Sequence, residues 1–150
     1  MSHQEQGVTL IELAVTVVIV GILASIAVPS YRNYVLRANR TEGRAALLAL
    51  ATAQEKFYLQ CNTYTATLDP EAATDCDTGQ LQFPIGSERG YYTITVTAAD
   101  ATGWTAAAEP AGDSPQLKDF DCQRYGLTST GAKSARTSAD ALNNSECWGK

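Results

Sequence analysis

The sequence predicts an α+β fold: one long N-terminal helix packed on a small antiparallel sheet of about three or four strands, with loops stapled by disulfides. Three observations carry this. A run without any charged residue, Leu13 to Tyr31, passes into a stretch whose apolar residues recur every three or four positions. Further on, YYTITVTA (Tyr91 to Ala98) alternates β-branched and polar residues, and a turn and a return strand come after it. Four cysteines, Cys61, Cys76, Cys122 and Cys147, lie beyond the helical pattern. An even number of them in a small chain reads as disulfides made in an oxidising compartment.

Residues 1–7 (MSHQEQG) form a hydrophilic leader without Lys or Arg. Residues 8–31 are apolar, with Glu12 near the start. As a helix, the 19 uncharged residues from Leu13 to Tyr31 span roughly 28 Å, close to the hydrocarbon thickness of a bilayer. Pro29 removes a backbone donor and is expected to kink or locally open this helix, with Gly21 as a second weak point. From 32 to 60 the stripe Ala46, Leu47, Leu50, Ala53 and Phe57 makes an amphipathic helix that docks on a sheet. Residues 61–90 are polar, with Pro70 and Gly79, and read as an irregular loop. The sheet occupies 91–130. Its first strand is Tyr91 to Ala98, the turn is Asp100 to Gly103, the return strand is Trp104 to Ala108, and a third strand lies around Arg124 to Ser129. The tail from Ala132 to Lys150 is rich in Ser, Thr, Ala and Asn and reads as loop. Residues 32–150 thus form one globular head.

Four cysteines allow three connectivities. The expected pairing is the sequence-local one, Cys61 with Cys76 and Cys122 with Cys147, which braces the first loop and the C-terminal loop 122–147. Each bridge would stabilise the fold by roughly 3 kcal/mol on the chain-entropy view.

Composition excludes much chemistry. The chain carries 11 Lys and Arg against 16 Asp and Glu, a formal charge of −5, so no direct nucleic-acid partner is expected. Its single histidine, His3, lies in the leader, which removes most triads and histidine metal sites from the head. No Walker loop, GxGxxG, GxSxG or HExxH occurs, so neither an enzyme nor a cofactor is expected. The acidic groups Asp69–Asp77 and Asp119–Asp121 offer carboxylate pairs, and Asp75 with Asp77 a calcium ligand set. Their spacing matches no EF-hand, and a solvated acidic loop is the expected reading. Tyr91, Tyr92 and Trp104 could make a ligand platform, but sheet packing is expected. Arg32, Arg37, Arg40 and Arg44 could touch lipid headgroups or neighbouring chains.

The apolar run admits three readings: a retained transmembrane helix, a secretory signal cut after Ser25-Ile26-Ala27, or a buried core helix. A carboxylate inside such a run is costly, ~2.5–3.5 kcal/mol at a bilayer centre, and calls for a partner. The four arginines after the run would place the C-terminal side in the cytoplasm by charge bias. The cysteines place it outside.

Gly7-Val8-Thr9-Leu10-Ile11-Glu12 before an apolar helix resembles the N-terminal signature of type IV pilins and of type II secretion pseudopilins. The resemblance implies that a prepilin peptidase cuts between Gly7 and Val8 and methylates Val8. It implies that Glu12 pairs with the amino terminus of a neighbouring pilin subunit and sets the axial register. It also implies a pilin fold. The run DCQRYGLTSTGAKSA, with Cys147-Trp148 closing the chain, resembles the C-terminal part of PilE-type minor pilins. Together the two resemblances imply a structural subunit of a type IV pilus, a minor pilin. Such a subunit is held by membrane lipid in the inner membrane with its head in the periplasm, then moved by an assembly platform into a surface filament. The alternatives are a major pilin or a type II pseudopilin and, from another class, a soluble binding domain released by signal peptidase.

Overall fold

The computed structural model describes residues 9–149. The chain divides into two compact units, Met1–Val35 and Leu36–Lys150. Helix α1 runs from Leu10 to Cys61 without a break, through Gly21 and Pro29. Helical residues thus continue on both sides of Pro29. Proline removes one i→i−4 bond, and the ladder on either side carries the helix across it. Asn62, with φ 54°, takes the left-handed position that ends α1, and its N–H reaches the Tyr58 carbonyl at 2.8 Å.

In the second unit the segment 61–90, expected to be irregular, contains a short parallel pair, β1 (Thr67–Asp69) with β2 (Gln80–Gln82). The main sheet is built of β3 (Tyr92–Ala99), β4 (Trp104–Pro110), β5 (Arg124–Thr128) and β6 (Lys133–Arg136). Its order is β3-β4-β5-β6, all antiparallel. The tail, expected to be loop, contains β6 and one helical turn, α2 (Asn144–Cys147). The loop between β4 and β5 holds a 3-10 turn, Pro115–Lys118, capped by the Ser114 side chain.

The core is helix against sheet. Leu47, Leu50 and Phe57 of α1 meet Tyr92, Ile94, Trp104, Ala106, Ala108, Tyr125, Leu127 and Ala135, all buried. Burying a Leu or Phe in this way contributes about 1.5–3 kcal/mol each. Ala46 and Ala53, also in the expected stripe, are half-buried against that core. Tyr92 and Trp104 lie inside it, so they do not form a ligand platform; Tyr91 is half-buried beneath the Arg89 guanidinium, 4.9 Å from its centroid.

Gly43 is where helix and sheet come closest. A Cβ there would lie 3.1 Å from ring carbons of Tyr92. That ring is fully buried, edge-on to Tyr125 and tied at its hydroxyl to Gln116. Gly43→Ala would gain about 1 kcal/mol of helix propensity, but forcing the ring aside costs about 1–3 kcal/mol. Net destabilisation is expected, read as a lowered thermal midpoint; a raised one would mean that the ring yields freely.

Candidate functional site

In the first unit, α1 begins at a threonine. The Glu12 N–H donates to Thr9 Oγ1 at 3.3 Å and the Leu13 N–H to the Thr9 carbonyl at 3.1 Å, so Thr9 caps the helix. Glu12 lies in the first turn, where the helix dipole favours a carboxylate. Every residue described up to Tyr34 is exposed, including Leu10, Ile11, Val18, Leu23 and Ile26. Thr16 and Ser25 return their hydroxyls to the carbonyls of Leu13 and Ile22 at 2.8 and 2.7 Å. The helix is long and apolar enough to cross a membrane, and none of that segment is buried. A core helix would be. Among the described residues Glu12 has no ion-pair partner. Gly7 and Val8, the expected cleavage and methylation positions, lie outside the described residues.

In the second unit the arginines separate. Arg32, in the first unit, and Arg37 are exposed. Arg40 is buried and chelates Asp119 through Nε at 2.6 Å and Nη2 at 2.7 Å. Asp121 and Glu146 stand 3.7 and 3.6 Å from the same guanidinium. Hydrogen bonding to Asp119 raises the Arg40 pKa despite its burial. One turn on, Arg44 Nη1 donates to the Trp148 carbonyl at 3.0 Å. Arg40 is thus withdrawn from lipid, and Arg44 is held at the C terminus of the head. Asp119 is an ion-pair partner inside the protein rather than part of a solvated run.

The other acidic segment behaves as a loop. The Asp69 carboxylate accepts the N–H groups of Glu71 and Ala72, and Asp75 accepts the N–H of Asp77 and the hydroxyl of Thr78. Those bonds hold Asp75 below the usual carboxylate range, first among them the one from the Asp77 backbone. Among the described residues no group of three His, Cys, Asp or Glu side chains could hold a metal. The cystines are Cys61–Cys76 and Cys122–Cys147.

Sequence reasoning misses four polar residues of the interface. Gln116 Nε2 donates to the Leu36 carbonyl at 3.1 Å and the Tyr92 hydroxyl at 2.9 Å, while its Oε1 accepts from Asn39. Gln54 exchanges two bonds with the Thr65 backbone. Glu42 accepts from the Ser87 hydroxyl at 2.5 Å, the Arg89 N–H at 2.8 Å and the Arg89 guanidinium at 2.9 Å. A signal exists for two of them. Asn39, Gly43, Leu47, Leu50, Gln54 and Phe57 keep the helical spacing of one face, and only its apolar members stand out in the sequence.

Glu42 gives a pH prediction. Burial pushes its carboxyl up, but the bonds from Ser87 and Arg89 outweigh that and hold it below the usual range. A depressed folded pKa stabilises above the unfolded value, about 4.3, and that contribution is lost as pH falls through the folded value. Between about pH 5 and pH 3 the urea midpoint of the parent chain is therefore expected to fall more steeply than that of Glu42→Gln. Equal slopes would show that the carboxylate is not held.

A family profile described as "Type IV minor pilin ComP, DNA uptake sequence receptor" matches residues 29–126. A second, the prokaryotic N-terminal methylation motif, matches residues 2–28. The type IV major pilin protein PilA of Myxococcus xanthus is 40% identical over 129 residues, covering 84% of this chain and 54% of that protein. A fimbrial protein of Pseudomonas aeruginosa is 36% identical over 93 residues, covering 62% of this chain and 60% of that protein. The chain thus spans a little over half the length of these relatives. The Neisseria meningitidis non-core minor pilin PilV superposes with TM-score 0.47 at 20% identity, over 69% of this chain and 89% of that one.

Proposed function

The chain belongs to that family of type IV minor pilins, and on this premise we propose that it is a structural subunit of a type IV pilus, one that helps initiate the filament or is incorporated into it. In this reading a prepilin peptidase cuts between Gly7 and Val8 and methylates Val8. The apolar helix keeps the subunit in the inner membrane with its head in the periplasm. An assembly platform then passes it from lipid into the filament, where Glu12 pairs with the amino terminus of a neighbouring subunit. Its work is association, not catalysis.

The single observation that carries this reading is the exposed helix: 19 successive uncharged residues preceded by one carboxylate in the first turn. Side chains that face lipid can face a bundle of similar helices with little change in hydrophobic free energy, because neither environment is water. The carboxylate is then the group that gains most from one particular neighbour, an ammonium. The methylation motif over residues 2–28 supports the processing step.

The test is an N-terminal mass measurement on protein from cells, with fractionation of sheared filaments. A methylated chain beginning at Val8, present in membranes and filaments, is expected. A soluble chain beginning at Val28 would replace this reading with that of a secreted domain. Abundance in the fibres separates a major from a minor subunit, and a secretion defect without a filament defect would indicate a pseudopilin.

The family's description supports a second reading, a DNA receptor, against the expectation of no nucleic-acid partner. Charge favours the structural reading. The chain is net −5, and Arg40, Arg89, Arg124 and Arg136 are already engaged by carboxylates. Retention of duplex DNA by the full chain, weakening steeply from about 50 to about 200 mM salt, would establish the receptor reading.

A further inference from the structure

The Arg40 cluster has a second property, which lies in where its carboxylates sit along the chain. Asp119 and Asp121 precede Cys122 by three residues and one residue, and Glu146 directly precedes Cys147. All three converge on one guanidinium of α1, at 2.6, 3.7 and 3.6 Å. Asn143, on the Cys147 arm, adds a tie between the two arms by donating to the Asp121 carbonyl at 3.3 Å, and also donates to Glu146 Oε2 of its own arm at 3.5 Å. Arg44 fixes the Trp148 carbonyl just beyond Cys147. In the bonded structure these contacts flank the cystine on both arms, with the Cα atoms of Cys122 and Cys147 5.6 Å apart. None of the contacts involves a sulfur atom.

We propose that Arg40 is the positioning residue for the Cys122–Cys147 disulfide: it gathers both cysteine arms while the thiols are still reduced, so that this pair closes in preference to the rival connectivities and resists reduction afterwards. Among the described residues the other bridge has no such guide. Cys76 lies between Asp75 and Asp77, and the Asp75 carboxylate is spent on its own loop; among the described residues neither acid meets a cation. Arg40 acts through charge on the arms and touches neither sulfur, so it changes the effective concentration of the thiols and not their chemistry. In closure, two thiols give up two protons and two electrons; a small-molecule disulfide accepts them and leaves as two thiols.

The test uses the full chain in detergent, equilibrated with mixtures of reduced and oxidised glutathione from both the reduced and the oxidised side. Alkylation then traps free thiols, and peptide mass spectrometry counts each pair. In the parent chain Cys122–Cys147 is expected to persist into more reducing mixtures than Cys61–Cys76. In Arg40→Met combined with Asp119→Leu, which leaves no buried unpaired charge, the Cys122–Cys147 equilibrium constant is expected to fall about tenfold. Mispaired forms should rise, while Cys61–Cys76 is unmoved. Should that chain fail to fold, Asp121→Asn with Glu146→Gln decides, since both side chains are about half exposed or more. It should lower the same constant about threefold, and concentrated salt should reproduce the effect in the parent chain. An unmoved Cys122–Cys147 equilibrium, or an equal shift of both disulfides, overturns the proposal.

Discussion

Asp119→Ala is expected to destabilise the second unit by about 2–4 kcal/mol, toward the low side of the usual result of breaking a buried ion pair, because Asp121 and Glu146 still face the guanidinium at 3.7 and 3.6 Å. Arg40 and Asp119 side chains are 6% and 3% exposed, so water cannot replace the lost carboxylate. Asp121 and Glu146 are too far away to chelate the guanidinium as Asp119 does. Out of a typical total of 5–15 kcal/mol, such a loss brings the unit close to unfolding. Urea unfolding monitored by the fluorescence of Trp104 and Trp148 measures it. The paired change Arg40→Met with Asp119→Leu is the control. It removes both charges and is expected within about 1–2 kcal/mol of the parent. With Arg40→Met and Asp119→Leu measured singly as well, the double-mutant cycle gives the coupling within the pair. If Asp119→Ala costs less than about 1 kcal/mol, the range of a surface pair, the guanidinium is solvated and the cluster anchors nothing.

The Arg40 cluster also marks where a sequence stops being legible. Helix α1 is legible because a charge-free run and a three-to-four-residue stripe are local patterns, repeated often enough to be read without knowledge of partners. β3 and β4 are legible for the same reason, with a turn between them. β1, β2, β6 and α2 have three or four residues each, too few for any period to show. Arg40 and Arg44 cannot be placed from sequence because their partners lie 79 and 104 residues away. A cation four residues from another on an exposed-looking helix reads as surface until the chain returns to it. Gln116 is invisible for a related reason. An amide is ordinarily polar surface, and only the convergence of Leu36, Asn39 and Tyr92 on it makes it interior. Pro29 lies inside the continuous helix α1, since one missing N–H removes a single i→i−4 bond and leaves the flanking turns intact. The candidate assembly residue, Glu12, is legible through motif and hydropathy together, and the partner proposed for it lies outside this chain.

For Glu12 two roles predict different magnitudes. As a first-turn carboxylate it supports its own helix by about 0.3–1 kcal/mol, and its loss would change incorporation into filaments by no more than about fivefold. As the partner of an ammonium in a water-poor bundle its removal costs about 3–5 kcal/mol, which lowers incorporation by roughly two to three and a half orders of magnitude at about 1.4 kcal/mol per factor of ten. Glu12→Gln separates the two, since it keeps the shape and hydrogen-bonding capacity but not the charge. The expected result is an N-terminally processed, membrane-held protein almost absent from sheared filaments. Glu12→Asp, which keeps the charge but shortens its reach by one methylene, is expected to fall between Gln and the parent. Membrane retention should be unchanged in both, because the charge-free segment from Leu13 onward is intact. Incorporation of Glu12→Gln within a few-fold of the parent would reduce the carboxylate to a first-turn charge favoured by the helix dipole and leave subunit register to the apolar surfaces alone.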